Sequence, residues 1–167
     1  MAKGLYGYLN DYWRQRKFEI NLVDFRREPA VLLLKKPTRI DKARRLGYKA
    51  KQGIYVARVR VKRGGHKRPR PKSGRKSGKL TIRKTLGMNY RWIAEQRASK
   101  KTGLEVLNSY YLAKDGKYYW YEVILIDPNA SEIKADKQLG WITSGKHRGR
   151  TFRGLTSAAK KSRGLRR

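Results

Sequence analysis

The densest apolar pattern in the chain runs from Tyr118 to Ile126. Trp120, Ile124 and Ile126 fall on one face; Tyr119, Tyr121, Val123 and Leu125 fall on the other. Only Glu122 interrupts this, so the segment reads as a central strand covered on both sides. Gly53 to Arg63 alternates as cleanly. Tyr55, Ala57, Val59 and Val61 share one face, while Arg58, Arg60 and Lys62 share the other. That is a half-buried strand, 54–62, with a cationic outer face. A third strand, 104–112, carries Leu104, Val106, Tyr110 and Leu112 on one side. Asp115-Gly116 reads as a hairpin turn of the type that needs positive φ.

Helical spacing appears elsewhere. Residues 3–17 place Leu5, Tyr8, Leu9, Tyr12 and Trp13 on one face, suited to packing on the core or on a partner protein. Asn10, Asp11, Arg14 and Lys17 point away. Residues 18–28 continue as a second helix until Pro29 breaks it. Ala30 to Leu34 is an apolar run too short to type. Thr38 to Gly47 is a small helix, with Thr38 as cap, Asp41 as capping-box acid and Gly47 as a left-handed C′ residue. Residues 86–102 form a longer helix ended by Gly103. Asn129 to Lys137 is a short one, with Asn129 as cap and Glu132 behind it.

Charge changes the picture. The 167 residues hold 44 Lys and Arg against 12 Asp and Glu, a net charge of +32. Between Asp41 and Glu95 there is no acid, yet there are 19 cations. Such a run repels itself in water until something outside neutralises it, and nucleic acid is the densest polyanion in a cell. Lys137 to Arg167 adds ten cations and no carboxylate. Six acids sit in or beside the hairpin: Glu105, Asp115, Glu122, Asp127, Glu132 and Asp136. The chain therefore divides into an N-terminal helical segment (1–36), a basic helix and linker (37–52), an α+β core (53–143) and a basic C-terminal extension (144–167). The core carries a basic loop, 64–84, with nine cations, no acid and only Leu80 and Ile82 as aliphatics. That loop is expected to take a shape only on its ligand. Charge alone does not separate RNA from DNA.

Candidate chemistry narrows rather than widens the reading. Cysteine is absent, which excludes disulfides and thiolate metal sites. His66 and His147 are the two histidines and make no metal cluster alone. No apolar run approaches the ~20 residues of a membrane span. Nor is there a signal-peptide apolar region, so an intracellular, cytoplasmic protein is expected. Gly140 to Lys146, GWITSGK, fits seven positions of a phosphate-binding loop, but His147 replaces the Ser or Thr that would hold magnesium. No spacing calls for a nucleophile, an acid–base pair, a cofactor or a small-molecule substrate.

Four strings carry a resemblance: PTRIDKARRLGYKAKQG at Pro37–Gly53, RVRVKRGG at Arg58–Gly65, LNSYY with EVILIDP at Leu107–Tyr111 and Glu122–Pro128, and RGLTSAAKKSRGL at Arg153–Leu165. The chain closely resembles the archaeal and eukaryotic large-subunit ribosomal protein family called L fifteen e. The absence of cysteine leans toward an archaeal member. The resemblance implies a structural ribosomal protein, a single copy among neighbouring ribosomal proteins, bound to large-subunit ribosomal RNA. It implies an α+β fold: a small antiparallel sheet of about four strands flanked by helices, in a β-α-β-α-β-β order. The fourth strand is expected near Trp141–Thr143. A general RNA- or DNA-compacting protein is the alternative that composition allows.

The residues expected to meet RNA follow from the charge runs. In the basic helix and linker they are Lys36, Arg39, Lys42, Arg44, Arg45, Tyr48, Lys49 and Lys51. The strand contributes Arg58, Arg60, Lys62 and Arg63. His66, Lys67, Arg68, Arg70, Lys72, Arg75, Lys76, Lys79, Arg83 and Lys84 come from the loop. Arg91 follows on the longer helix. The C-terminal extension adds Lys146, His147, Arg148, Arg150, Arg153, Lys160, Lys161, Arg163 and Arg166. Arginine offers a planar fork for phosphate and a face that stacks on unpaired bases.

Overall fold

A four-stranded antiparallel sheet organises the chain, its strands lying side by side in the order Val31–Leu34, Ile54–Lys62, Tyr118–Ile126, Glu105–Lys114. The computed structural model describes residues 3–16, 20–67, 73–75 and 83–166. The strands are β1 (Val31–Leu34), β2 (Ile54–Lys62), β5 (Glu105–Lys114) and β6 (Tyr118–Ile126). A separate two-stranded ribbon, β3 (His66–Lys67) with β4 (Arg83–Lys84), closes the base of the basic loop. The tip of that loop lies outside the described residues except for 73–75.

The fourth strand is β1, and the expectation at Trp141–Thr143 is overturned. Gly140–Thr143 is a 3₁₀ turn. Asp136 decides this: its carboxylate accepts the backbone N–H of Gln138 and Leu139, which coils the chain there. The apolar run Val31–Leu34 instead pairs with β2 in register Val31↔Val59 to Leu34↔Val56. A second 3₁₀ turn, Gly145–His147, follows the first, so the phosphate-loop string has no strand before it and no long helix after it.

Both faces of the sheet are covered. On one face Ala57, Val59, Val61, Val106, Tyr121, Val123 and Leu125 meet Ala94 and Ala98 of α4 (Tyr90–Thr102). On the other, Ile54, Tyr110, Ile124 and Ile126 meet Ala43, Ile133, Leu139 and Ile142. Ala43 comes from α3 (Ile40–Arg45) and Ile133 from α5 (Ser131–Lys134). β6 is buried from Trp120 to Ile126, as its two apolar faces predict. The final helix, α6 (Ser157–Ser162), buries Ala158 and Ala159.

Several local expectations change in the folded chain. The cationic face of β2 is free only at Lys62: α2 (Leu22–Arg27) covers Arg58 and Arg60, and Phe25 meets Trp120 edge-on at 6.0 Å between ring centroids. Tyr55, expected inside, is exposed at the sheet edge. β5 does not alternate simply. Register shifts beside Leu107 and Leu112 put Val106 and Tyr110 on opposite faces. The hairpin turn closes without positive φ at Gly116, because Asp115 Oδ1 accepts the N–H of Lys117 and Tyr118. Asp41 is no capping acid but is buried against Arg39, and Thr38 gives its N–H to Glu122 Oε1 at 3.1 Å. Asn129 is bypassed as well: Asp127 Oδ1 takes its N–H, and Ala130 occupies the cap position of α5.

Other signals hold. Gly47 and Gly103 adopt φ of 99° and 73°, the left-handed conformation that favours glycine after a helix. The longer helix starts at Tyr90 rather than 86 because the Asn89 side chain caps it, accepting the N–H of Trp92 at 2.8 Å. In α1 (Leu5–Arg16) the aromatic face does not enter the core. Leu5, Tyr8 and Tyr12 are exposed, and α1 meets α3 through Asn10 and Trp13, both engaged by Arg39.

Trp120 is 1% exposed at the centre of the sheet. Trp120→Ala should cost roughly 3–5 kcal/mol, as large aromatic deletions in cores do. For a chain of this size that lowers the melting temperature by about 6–20 °C. Calorimetry on the isolated variant checks it; a shift of only a degree or two would contradict the placement of Trp120.

Candidate nucleic-acid interface

Most of the described acids of this chain are engaged within it. Each carboxylate from Glu28 to Asp136 accepts a hydrogen bond or ion pair from within the chain. Glu28 takes Arg58 at 3.1 Å, and Asp41 takes Arg39 through both oxygens at 3.1 and 3.2 Å. Asp136 binds Lys49 at 3.1 Å and Lys51 at 2.6 Å. The hydrogen bond from Lys51 and the N–H of Gln138 hold the Asp136 carboxyl well below the usual carboxylate range. Asp115 holds the hairpin turn and lies 3.5 Å from Arg26. Asp127 takes the Asn129 N–H, and Glu132 takes the Ser131 hydroxyl. Glu105 accepts the N–H of Gly149 at 2.6 Å.

Two carboxylates are wholly buried. Glu122 Oε2 accepts the Tyr110 hydroxyl at 2.5 Å, while its Oε1 takes the Thr38 N–H. Burial, then the charge of Glu122, pushes the Tyr110 hydroxyl far above its ordinary pKa. Glu95 sits between the Ser109 and Thr156 hydroxyls, each at 2.5 Å. Burial pushes the Glu95 carboxyl up, opposed by those two hydrogen bonds and by the charges of Arg91 and Arg150.

Many of the predicted cations serve the fold. Arg91 donates to the Ser109 hydroxyl at 2.8 Å, to Asn108 Oδ1 at 2.7 Å and to the Ser109 carbonyl. Arg150 is buried, donates to the carbonyls of Val106 and Leu107 at 2.6 and 3.1 Å, and stacks over Trp141. Arg58 stacks on Phe25 at 3.8 Å, and Arg60 on Tyr118 at 4.9 Å while donating to the Arg26 carbonyl. Arg63 bonds the Asp115 carbonyl and lies over Tyr119. Arg153 bonds the carbonyls of Arg148 and Lys146, Arg163 that of Gly154, and Arg166 the Ser157 hydroxyl. His147 meets the edge of Trp141, and Tyr48 packs against the cluster around Ile133.

The rest are presented to solvent. Lys36, Lys42, Arg44, Lys62, Arg75, Lys146, Arg148, Lys160 and Lys161 are exposed, and none pairs with a carboxylate among the described residues. Arg45 is exposed with its guanidinium 6.0 Å over Tyr6. The backbones of His66, Lys67, Arg83 and Lys84 form the ribbon. Arg68, Arg70, Lys72, Lys76 and Lys79 lie outside the described residues. Among the described residues no group of His, Asp and Glu could hold a metal ion. No described helix is long and apolar enough to cross a membrane.

The family model described as Ribosomal L15 matches residues 4–167. The chain belongs to this family of ribosomal proteins. A curated relative, the large ribosomal subunit protein eL15 of Methanocella arvoryzae, is 49% identical. That alignment takes in all of this chain and 90% of the relative. Within this Ribosomal L15 chain, the match runs through all four strings that carried the resemblance.

Sequence reasoning missed further exposed cations, among them Arg14, Arg97, Lys100, Lys114 and Lys117. They lie in mixed-charge helices or at the hairpin, so no run of charge marks them. Exposure on a helix or turn is the signal, and it needs the fold.

The buried Glu95 gives a pH-dependent prediction. Folded Glu95 keeps its proton to higher pH than in the unfolded chain, where it titrates near ~4.3. As pH rises above that value the unfolded chain releases the proton first, so Glu95 costs stability increasingly until its folded pKa is passed. Glu95→Gln removes that dependence. The stability of Glu95→Gln relative to the parent should therefore rise as pH increases above about 4 in denaturant titrations. A difference that stays flat with pH would contradict it.

Proposed function

We propose that this chain is a non-catalytic structural constituent of the large ribosomal subunit, in the cytoplasm, where it binds and stabilises large-subunit ribosomal RNA and so supports translation. The division of charge is the observation that carries this reading. The acids from Glu28 to Asp136 are committed to the fold, while Lys36, Lys42, Arg44, Lys62, Lys146, Arg148, Lys160 and Lys161 face outward unpaired. Membership of the ribosomal family and the 49% identity to a large-subunit protein select ribosomal RNA among polyanions.

The cations act by lowering repulsion between crowded phosphates of the folded RNA. Released counterions and charge-assisted hydrogen bonds drive this. Arg91 and Arg150 serve indirectly, by fixing the β5 backbone from which the C-terminal extension is hung. Neighbouring ribosomal proteins complete the surroundings of a single copy of this chain.

Two measurements test the reading. The chain should co-migrate with the large subunit through a sucrose gradient; distribution over bulk nucleic acid instead would favour a general compacting protein. RNA affinity should also fall steeply with salt. With on the order of ten phosphate contacts the log–log slope is about −7 to −9, bracketing single strands and B-form duplex. A slope near zero would remove phosphate contact as the source of binding.

A further inference from the structure

A groove of about 780 Å³ lies between α1, α3 and the β5 end of the sheet. Its lining is of two kinds. Ile20, Leu22, Leu112 and the half-buried ring of Trp13 supply an apolar interior. Arg14, Lys42, Arg45 and Lys114 also line it, and all four are exposed. No carboxylate is among the described residues that line the groove. Arg39 lies at its root, clamped by both oxygens of Asp41 and by Asn10 Oδ1, with its guanidinium 5.4 Å from the centre of the Trp13 ring. That clamp fixes the ring: Trp13 is held in place before any ligand arrives.

We infer that this groove takes an unpaired nucleotide extruded from the bound RNA, with its base stacked at Trp13 and its phosphates on Arg14, Lys42, Arg45 and Lys114. The inference rests on the ribosomal-RNA reading and says how one part of the surface meets that RNA. A duplex presents only phosphates and groove edges, and would leave the apolar interior wet. An unpaired base brings an apolar, flat face that buries on an aromatic ring, and its flanking phosphates fall on the cationic rim. The volume lies in the range of small-molecule sites, which suits one or two nucleotides and not a helix. An acidic peptide would match the rim but gains less from a single fixed aromatic ring.

Two fluorescently labelled RNA hairpins test this on the full chain by anisotropy titration. One carries a two-adenosine bulge and the other is fully paired. The parent should bind the bulged hairpin about tenfold more tightly, the lower part of the range for base–aromatic stacking. Trp13→Ala should abolish that preference while keeping affinity for the paired hairpin, and Trp13→Phe should keep most of the preference. As a readout on the unaltered chain, 2-aminopurine placed in the bulge should be quenched on binding. Equal binding of the two hairpins by the parent, or an unquenched 2-aminopurine, would overturn the groove site, because stacking of this kind tolerates any base. A preference that survives in Trp13→Ala would overturn the role of Trp13 and point to another element. Failure to bind either hairpin would overturn the RNA-binding reading itself.

Discussion

The constraint on which this structure depends is a shortage of negative charge. Twelve carboxylates share a chain with 44 Lys and Arg. Most of those from Glu28 onward join segments distant in sequence or fix a turn. Glu122 bonds Thr38, 84 positions away; Glu95 bonds Thr156, 61 away; Asp136 bonds Lys49, 87 away. A buried carboxylate is expensive unless its lone pairs are met. Here hydroxyls, backbone N–H groups and guanidinium groups meet them, so the acids work as long-range cross-links. Among the described residues little negative charge is left over for the surface cations, and that is why the surface is complementary to a polyanion.

The same cross-links explain how basic extensions stay attached to a small core. Glu95 joins α4, β5 and the cap of α6 through Ser109 and Thr156. The C-terminal segment is further pinned where Arg150 reaches the carbonyls of β5 and Gly149 reaches Glu105. On the N-terminal side Arg58 and Arg60 hold α2 over the sheet through Glu28, Phe25 and the Arg26 carbonyl. Cations thus have two roles. Those that stack on aromatics or reach carbonyls build the body, and those beyond reach of any acid remain for RNA.

How much of this was legible in the sequence depends on the range of the interaction. The strands of 54–62 and 118–126 announce themselves because a period of two survives in any context that buries one face. The α+β class and the four-strand sheet of the family resemblance are found. β1 was invisible as a strand because four apolar residues carry no period; pairing with β2 makes it one. Trp141–Thr143 was expected to supply the fourth strand of the family sheet, yet it coils as a 3₁₀ turn behind the turn set by Asp136. Alternation in β5 failed at bulges, which no periodic reading contains. For the interface, the long basic runs were legible, but which arginines turn inward was not. Arg91 and Arg150 are consumed by β5 carbonyls that lie far from them along the chain. The groove at Trp13 joins the basic helix, which the charge run marks, to α1 and the end of β5, which no run of charge marks.

If exposed cations without internal partners dominate the electrostatics, the free chain is strained by its own charge, and screening should relieve it. The direct measurement is the melting temperature of the RNA-free chain in about 0.1 M and about 1 M sodium chloride, where the screening length falls from ~10 Å to ~3 Å. The account predicts a clear rise in melting temperature at the higher salt. A fall would mean that the ion pairs of the core outweigh the repulsion at the surface, and would contradict the view that this fold is completed by a polyanion.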